Sequence, residues 1–365
     1  MIAFGPTEEQ ELVREAMREF AADALRPVAR ELDEASDLPS ELLDTIAQLG
    51  LVSTSIPEAH GGGGEPRSPI TNALVLEELA HADAALALAA MVPAGFANAI
   101  ADFGTPEQQQ AYLPALCGDS FQACAIAAVE PGAFCDPELP QTKAEPKGND
   151  AFVISGAKAF VPLADRASHF LVIARSNGGL DAFVVDREAR GLTISEREKH
   201  MGLKALPTCG LELERVEVPA SARLGGAAGC DVRRLLDGGR AALAAVMTGV
   251  SRAVLEYCIP YTKDRVAFDE AIARKQAIAF MLAEMHIETE GMRWLTWRAA
   301  ADLENGRPAT RSAHHARTIA ADKCMWIADN GVQCLGGHGY IREHPVEIWY
   351  RNARTLGVLE GTLYL

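Results

Sequence analysis

The sequence has few of the features that mark an exported or a metal-binding protein. Its eight cysteines are scattered and none forms a Cys-x-x-Cys pair, so the pattern predicts neither a zinc site nor a disulfide framework. Its nine histidines show no ligand spacing, and we expect no metal site. Glutamates interrupt the N-terminal segment at once, so no signal peptide is expected. A reducing, cytoplasmic location is therefore predicted.

Basic residues and long hydrophobic runs are also scarce. Lys and Arg total 34 against 50 Asp and Glu, which gives a formal net charge of −16. This acidic balance argues against nucleic acid or an anionic membrane as the main partner. Charged residues break up most apolar stretches, so no membrane-spanning helix is expected. Apolar residues nevertheless make up 48% of the 365 residues, which is enough for two or three domains with a large core.

The spacing of apolar residues divides the chain into three parts. In residues 1–118 they recur at helical spacing, and Thr7 is a plausible N-cap of the first helix. Residues 119–230 carry short β-prone runs separated by turn residues, which predicts an antiparallel β domain. Helical spacing returns in residues 231–365. The long segments there span roughly 236–260, 270–304 and 308–335. We therefore predict an α+β multidomain fold and not a doubly wound sheet.

The C-terminal segment is the most informative part of the chain. A glycine-dense loop, Gln333–Gly337, is followed by a charged helix and then by Glu360 before Gly361 and Thr362. Glycines let backbone N–H groups approach a ligand closely. Glu360 follows the apolar run 356–359, and a carboxylate in apolar surroundings becomes a better general base. Taken alone, the same glutamate could be a surface residue at the end of a helix.

Several segments in order resemble the acyl-CoA dehydrogenase family, and the likeness covers nearly the whole chain. They are Val129–Asp136, Ile154–Pro162, Met201–Leu203, Arg265 with Phe268, and Gln333–Thr362. No single segment is specific, because a Gly-Gly-x-Gly loop alone is common. The resemblance implies an N-terminal helical domain (1–118), a middle antiparallel β-barrel domain (119–230) and a C-terminal four-helix bundle (231–365).

The resemblance also implies an activity. The protein would be an FAD-dependent oxidoreductase of lipid metabolism that converts an acyl-CoA thioester to the enoyl-CoA. Glu360 would remove the substrate α-proton. The implied substrate contacts are Cys135, Asp237, Arg240 and Gly361. An electron-transferring flavoprotein would accept the electrons, and the protein would form a homotetramer or a heterotetramer.

The resemblance assigns two groups of residues to the cofactor. The first group would contact the flavin of the same chain and consists of Ile126, Ala128, Val129, Phe134, Cys135, Phe160, Pro162 and Thr362. The second group would contact the flavin of a neighbouring subunit and consists of Arg265, Phe268, Gln276, Gln333, Gly336 and Gly337. The two halves of the C-terminal segment would therefore belong to different active sites.

The chain departs from the family pattern where the flavin ring would lie. The family commonly has threonine at Val129 and Pro162, glycine at Phe134, serine at Cys135 and tryptophan at Phe160. Neither Val129 nor Pro162 has a hydroxyl, and Pro162 lacks an N–H as well. The chain is therefore either a divergent dehydrogenase or a low-activity or non-catalytic partner subunit of a heteromeric acyl-CoA dehydrogenase. A flavin monooxygenase or oxidase is disfavoured, because such relatives tend to lack Glu360.

Two further expectations concern His314 with His315 and the end of the sequence. Adjacent residues point about 100° apart on a helix, so a solvated histidine pair is favoured over a metal site. The family usually has another helix after the position of Glu360, and we expect residues beyond Leu365 to be missing from this sequence. The acyl group depends on pocket walls that the sequence does not specify.

Overall fold

The structure is a computed structural model that describes residues 5–132, 135–176 and 179–365. It begins with helices, as predicted. They are α1 (Glu8–Phe20), α2 (Ala29–Ala35), α3 (Ser40–Ala47), α4 (Pro69–Ala82), α5 (Ala84–Phe103) and α6 (Pro106–Tyr112). The side chain of Thr7 accepts the N–H of Gln10, and the Gln10 side chain accepts the N–H of Thr7, so this capping box fixes the start of α1.

A curled sheet follows the helices. Its strands are β1 (Cys124–Ala127), β2 (Lys143–Lys147), β3 (Ala151–Pro162), β4 (His169–Ser176), β5 (Gly179–Asp186), β6 (Leu192–Arg197) and β7 (Thr208–Pro219). Among the described residues their order is β1-β4-β2-β3-β7-β6, with β5 also paired to β4. The predicted fold class is confirmed, with one correction inside the sheet. Strands β1 and β2 pair with β4 in parallel, because the chain passes through the β2–β3 hairpin before it returns as β4.

Helices return after the sheet and form the C-terminal bundle. They are α7 (Val232–Asp264), α8 (Gln276–Glu304), α9 (Thr310–Leu335) and α10 (Val346–Leu356), with a short hairpin of β8 (Val266–Ala267) and β9 (Glu270–Ala271) between α7 and α8. Helix α7 packs against α4, α5, α8, α9 and α10. It therefore joins the N-terminal helices to the rest of the bundle, and it carries Asp237 and Arg240.

Two helices, α5 and α7, are long and apolar enough to cross a membrane by length and composition alone. Residues 84–101 of α5 carry no charged side chain, so the scarcity of hydrophobic runs does not extend to this segment. However, 94% of the most apolar window of α5 and 78% of that of α7 are buried inside the fold. Both helices are apolar because they form the core, where each is surrounded by other elements.

Candidate active site

The segment that carries Glu360 is held by a buried arginine of α9. Arg317 is 9% exposed, and its Nη2 donates to the carbonyl oxygens of Leu356, Gly357 and Leu359 at 3.3, 3.1 and 2.6 Å. These carbonyls belong to the end of α10 and to the turn that follows it, where helical acceptors have no partner within the helix. Arg317 therefore fixes the path of the chain directly before Glu360.

The Glu360 carboxylate faces a second buried arginine, Arg240 of α7. Glu360 Oε1 lies 2.6 Å from Arg240 Nε, and Arg240 itself is 3% exposed. The Nη1 atom of the same guanidinium lies 3.1 Å from Asp237 Oδ1 and 2.9 Å from Glu138 Oε1. The other Asp237 oxygen accepts the hydroxyl of Thr310 at 2.7 Å. The Arg240 guanidinium is thus ion-paired to three carboxylates. Glu360, the base predicted from the sequence, is therefore ion-paired and not surrounded by apolar groups.

The charged groups in this cluster shift one another's pKa values. Burial would lower the pKa of Arg240, but the carboxylates of Glu360 and Glu138 outweigh it and the pKa is raised. Burial raises the pKa of Asp237, although Arg240 opposes this. Burial also favours the neutral form of Glu138, but Arg240 and His314 hold its pKa below the usual value. Arg240 is therefore a permanent cation at the centre of the cluster.

The residues after Glu360 lie in a slot between α5 and α7 that glycines create. A Cβ on Gly238 would lie 2.3 Å from the ring of Tyr364, and one on Gly95 would lie 2.8 Å from the Tyr364 nitrogen. Asn98 of α5 donates to the Tyr364 carbonyl at 3.1 Å, and the Tyr364 hydroxyl donates to Asp102 at 2.7 Å. Burial, reinforced by Asp102, raises the pKa of Tyr364 to about 12. The slot anchors the segment after Glu360, and Arg317 holds the segment before it.

Three residues of the first cofactor group meet in one cavity. Phe160, Pro162 and Thr362 line a narrow cavity, together with Leu88, Leu206, Thr208 and Leu359. The Thr362 hydroxyl is buried there, and among the described residues it has no hydrogen-bond partner. Gly361 brings this segment close to the first strand of the sheet, since a Cβ at Gly361 would lie 2.6 Å from Ala128 Cβ. An unsatisfied hydroxyl beside a ring and a proline suits a flat ligand with polar edges.

A β-bulge directs Phe160 towards this cavity. The register between β3 and β7 shifts between Lys158 and Val161, and Phe160 adopts a φ of 54°. The Phe160 N–H donates to the Glu198 carboxylate at 3.2 Å, and its ring stacks on His200 with centroids 4.7 Å apart. Such a φ is unfavourable for a bulky residue, so the surrounding contacts must hold it. The sequence pattern did not predict the bulge.

The loop after β1 is fixed by a buried ion pair. Lys158 is 1% exposed, and its ammonium lies 2.9 Å from Glu130 Oε1 and 3.2 Å from the carbonyl oxygen of Ala128. Burial lowers the pKa of Lys158, and Glu130 opposes this. Cys135 is exposed, and its sulfur accepts the Glu130 N–H at 3.1 Å. Ile126, Ala128 and Val129 are buried beside this pair, whereas Phe134 lies outside the described residues.

The second cofactor group lies at the surface of the bundle. Its exposed members are Arg265, Phe268, Gln276, Gln333, Gly336 and Gly337. Phe268 is 88% exposed and has a φ of 54°. The Tyr261 hydroxyl donates to the carbonyl oxygen of Leu335 at 3.4 Å, which brings the ends of α7 and α9 together. This group is therefore accessible from outside the chain.

Sequence reasoning missed three residues of the cluster. Glu138 and Arg317 lie far from Glu360 in sequence, and no motif marked them. His314 was expected to be solvated; it is half-exposed, but its Nε2 lies 3.4 Å from Glu138 Oε1. Among the described residues no group of three or more His, Cys, Asp or Glu side chains could hold a metal ion.

Comparison with known proteins agrees with this architecture. Family models described as acyl-CoA dehydrogenase N-terminal, middle and C-terminal domains match residues 7–119, 125–216 and 231–363. A short/branched chain specific acyl-CoA dehydrogenase of Bos taurus mitochondria is 33% identical, over 98% of this chain and 83% of that protein. The caffeyl-CoA reductase-Etf complex subunit CarC of Acetobacterium woodii is 34% identical, over 98% and 95%.

A solved structure gives the same result. Butyryl-CoA dehydrogenase from Megasphaera elsdenii is 31% identical and superimposes with a TM-score of 0.89, covering 99% of this chain and 96% of that one. The three family models and this superposition place the chain in a class of flavoprotein oxidoreductases. The chain belongs to the acyl-CoA dehydrogenase family, whose members are FAD flavoproteins.

Proposed function

We propose that the protein catalyses α,β-dehydrogenation of an acyl-CoA thioester, with Glu360 as the base that removes the α-proton. The observation that carries the proposal is the position of Glu360. Its carboxylate adjoins the Arg240 cluster, and its neighbours Leu359 and Thr362 line the cavity that holds Phe160 and Pro162. A proton acceptor beside a hydride acceptor is what this oxidation needs.

FAD fits the first cofactor group, with Thr362 as the side chain that would satisfy one of its polar edges. Pro162 and Val129 can offer no side-chain hydrogen bond, so backbone groups and Thr362 would carry that task. FAD, when bound, supplies the acceptor for the β-hydride. In the part of the chain that the structure describes, the Glu360 N–H donates to no backbone or side-chain acceptor. It is therefore available to hold the thioester oxygen, which becomes more negative as the α-proton leaves.

The substrate would reach Glu360 along α7. A cavity of about 400 Å³ lies beside the first turn of that helix and is lined by Glu138, Arg175, Cys230, Asp231 and Arg233, among others. Its arginines suit the phosphates of coenzyme A, and Asp237 and Arg240 lie further along the same helix. The Cys135 thiol and Gly361 are the remaining proposed contacts. Screening straight, branched and cyclic acyl-CoA thioesters for loss of flavin absorbance would identify the acyl group.

The test of the base is Glu360→Gln, which removes the proton acceptor and keeps the shape. We expect anaerobic flavin reduction by an accepted acyl-CoA to slow by about 10²–10⁴-fold, which is what a general base in the right place contributes. Glu347→Gln is the matched control. Glu347 of α10 is also ion-paired to two arginines, Arg30 and Arg351, and its side chain is 18% exposed against 19% for Glu360. Full activity of Glu360→Gln would refute the proposal.

A low-activity or non-catalytic partner subunit remains the second candidate. The observation that favours it is the side-chain chemistry at Val129 and Pro162, which gives the flavin ring fewer hydrogen bonds. The Glu360 cluster favours the dehydrogenase. Counting FAD per chain in the protein purified alone separates the two. One FAD per chain, bleached by an acyl-CoA without oxygen, would rule out the partner-subunit function.

The proposed assembly is a tetramer, either of identical chains or of unlike chains. The exposed second cofactor group supports it, because those residues would complete the flavin site of a neighbour. Phe280, Ile287 and Trp294 also form a stripe at seven-residue spacing along α8, and they are 58%, 66% and 47% exposed. We further propose an electron-transferring flavoprotein as the electron acceptor and a cytoplasmic location. The name of the Acetobacterium woodii relative includes an Etf complex.

A further inference from the structure

Arg240 is the point where the catalytic carboxylate is bound to the rest of the protein. The guanidinium is almost fully buried, with Glu360 on Nε at 2.6 Å and two other carboxylates on Nη1. To remove an α-proton, Glu360 has to direct an oxygen at the substrate and loosen its contact with Arg240. A buried cation that is left without an anion is strongly destabilised. While Glu360 is turned away, Arg240 therefore depends on its two other carboxylates, Asp237 and Glu138.

The two other carboxylates come from different parts of the fold, and each has a second partner. Asp237 lies on α7 itself, with one oxygen on Arg240 at 3.1 Å and the other on Thr310 at 2.7 Å. Glu138 comes from a different domain, on the loop between β1 and β2, and reaches across to α7 and α9. Its Oε1 lies 2.9 Å from Arg240 Nη1, and its Oε2 lies 3.3 Å from Arg233 Nε. Glu138 is thus the anion that the sheet domain supplies to the buried cation.

We propose that Glu138 is a positioning residue for the base, which retains Arg240 while Glu360 turns from the guanidinium to the substrate. The inference rests on the proposed role of Glu360. With Glu138 present, Arg240 shares its attraction between carboxylates and holds Glu360 less tightly. Without it, Glu360 becomes the main counter-ion of a buried arginine. A base held that tightly is less available and accepts a proton less readily.

The charges around this pair define how it responds to pH. Arg240, Arg233 and His314 face Glu138, and Arg240 and Arg317 face Glu360. Asp237 faces Arg240 from its own helix. Loss of the Glu138 charge would leave Arg240 with Asp237 and Glu360 as its carboxylate partners.

The experiment is the pH dependence of Glu138→Gln in the purified holoenzyme. We expect flavin reduction by a saturating acyl-CoA to be about tenfold slower, the size usual for coupling within a shared charge network. The acid limb of the rate profile should move to lower pH, and KM should change little. Glu138→Asp should restore part of the rate. Glu217→Gln removes the same charge from a surface pair with Lys147 and should leave the profile unchanged.

A second measurement reports on the base without hydride transfer. Acetyl-CoA has α-protons but no β-carbon that can lose hydride, so exchange of its α-protons in D2O depends on proton removal alone. Slower exchange in Glu138→Gln supports the proposal. An unchanged exchange rate and pH profile would overturn it, and so would a change confined to KM or to melting temperature, which would make Glu138 a channel-lining or structural residue. Full activity of Glu360→Gln would instead overturn the proposed function.

Discussion

Arg317 connects the backbone before Glu360 to its carboxylate. One nitrogen, Nη2, donates to three carbonyl oxygens of residues 356–359, and another, Nε, lies 3.3 Å from Glu360 Oε2. Burial lowers the pKa of Arg317, and Glu360 opposes this. The arginine is thus bound on one side to neutral acceptors and on the other to the base. Both the direction of the segment and the resting position of the carboxylate depend on it.

Replacing Arg317 should affect stability and catalysis together. Arg317→Ala leaves three carbonyls without their donor and removes one of the two cations beside Glu360, so we expect a loss of about 3 kcal/mol in the free energy of unfolding. Flavin reduction should also slow by roughly tenfold or more, because the base is no longer aligned. Arg317→Lys keeps the charge and some of the donors and should recover part of both. Urea unfolding and stopped-flow absorbance measure the two effects.

The matched control for this variant is Arg298→Ala on α8. Arg298 is also ion-paired, to Asp302 at 3.0 Å, but its side chain is 68% exposed and Asp302 keeps Arg307 as a partner. Exposed ion pairs contribute about 0–1 kcal/mol. If Arg317→Ala were no more destabilising than Arg298→Ala, the arginine would not be holding the segment.

The spacing of apolar residues was sufficient to predict the fold class, because burial of one face of a helix or strand imposes that spacing along the chain. Predicted helices near 236–260 and 308–335 correspond to α7 and α9, and the β-prone runs correspond to the strands of the sheet. Parallel pairing of β1 with β4 could not be predicted, because it depends on which strands meet in space and not on their own spacing. Composition also could not classify the charge-free run 84–101, since a buried core helix and a membrane-spanning helix can have the same composition.

Sequence reasoning found only those site residues that belong to contiguous motifs. Glu360 was found because Gly361 and Thr362 follow it directly. Glu138 and Arg317 come from other domains or helices and carry no local signature. Their importance lies in distances to Arg240 and Glu360 that appear only after folding. The sequence predicted apolar surroundings for Glu360, but in the structure Arg240 and Arg317 flank its carboxylate.

Substitution in the glycine slot should displace the segment after Glu360. Gly238→Ala places a methyl group 2.3 Å from the buried ring of Tyr364, which Phe103 stacks against on the other side. Overpacking of this kind costs about 1–3 kcal/mol. We expect a lower melting temperature and slower flavin reduction, because the shift is transmitted along the chain to Glu360. Gly118→Ala is the control: no atom lies within 4 Å of its Cβ, and its φ of −78° is ordinary.

Asp83 should make stability depend on pH. It caps α5 by accepting the Leu86 N–H at 3.0 Å, and burial raises its pKa from 3.8 to about 6. A carboxyl whose folded pKa is raised contributes stability below the unfolded value of 3.8, and this is lost as the pH rises through about 6. Above that, the ionised form costs up to about 3 kcal/mol. Asparagine caps a helix equally well.

Asp83→Asn should therefore raise the free energy of unfolding at pH 8 by about 1–3 kcal/mol and change it much less near pH 4. Urea unfolding at the two pH values measures the difference. Asp231→Asn tests the cap alone, because Asp231 caps α7 through Arg234 but is exposed. Its effect should be the same at both pH values. Greater stability of the wild type than of Asp83→Asn at pH 8 would contradict the prediction.

Subunit sharing of the cofactor site can be tested by complementation. Glu360→Gln lacks the base but keeps Arg265 and Gln276. The double variant Arg265→Ala/Gln276→Ala keeps the base but loses the exposed contacts to the neighbouring cofactor, so it should retain less FAD. Each homomer should be nearly inactive. In a hybrid, the site of the double variant receives intact Arg265 and Gln276 from its Glu360→Gln neighbour. About half of the double-variant chains in a random mixture have such a neighbour. Co-expression should therefore restore up to about half of the wild-type activity per double-variant chain, provided that sites act independently. Activity no greater than the sum of the separate homomers would place both residue groups in one subunit's own site, or in no cofactor site at all.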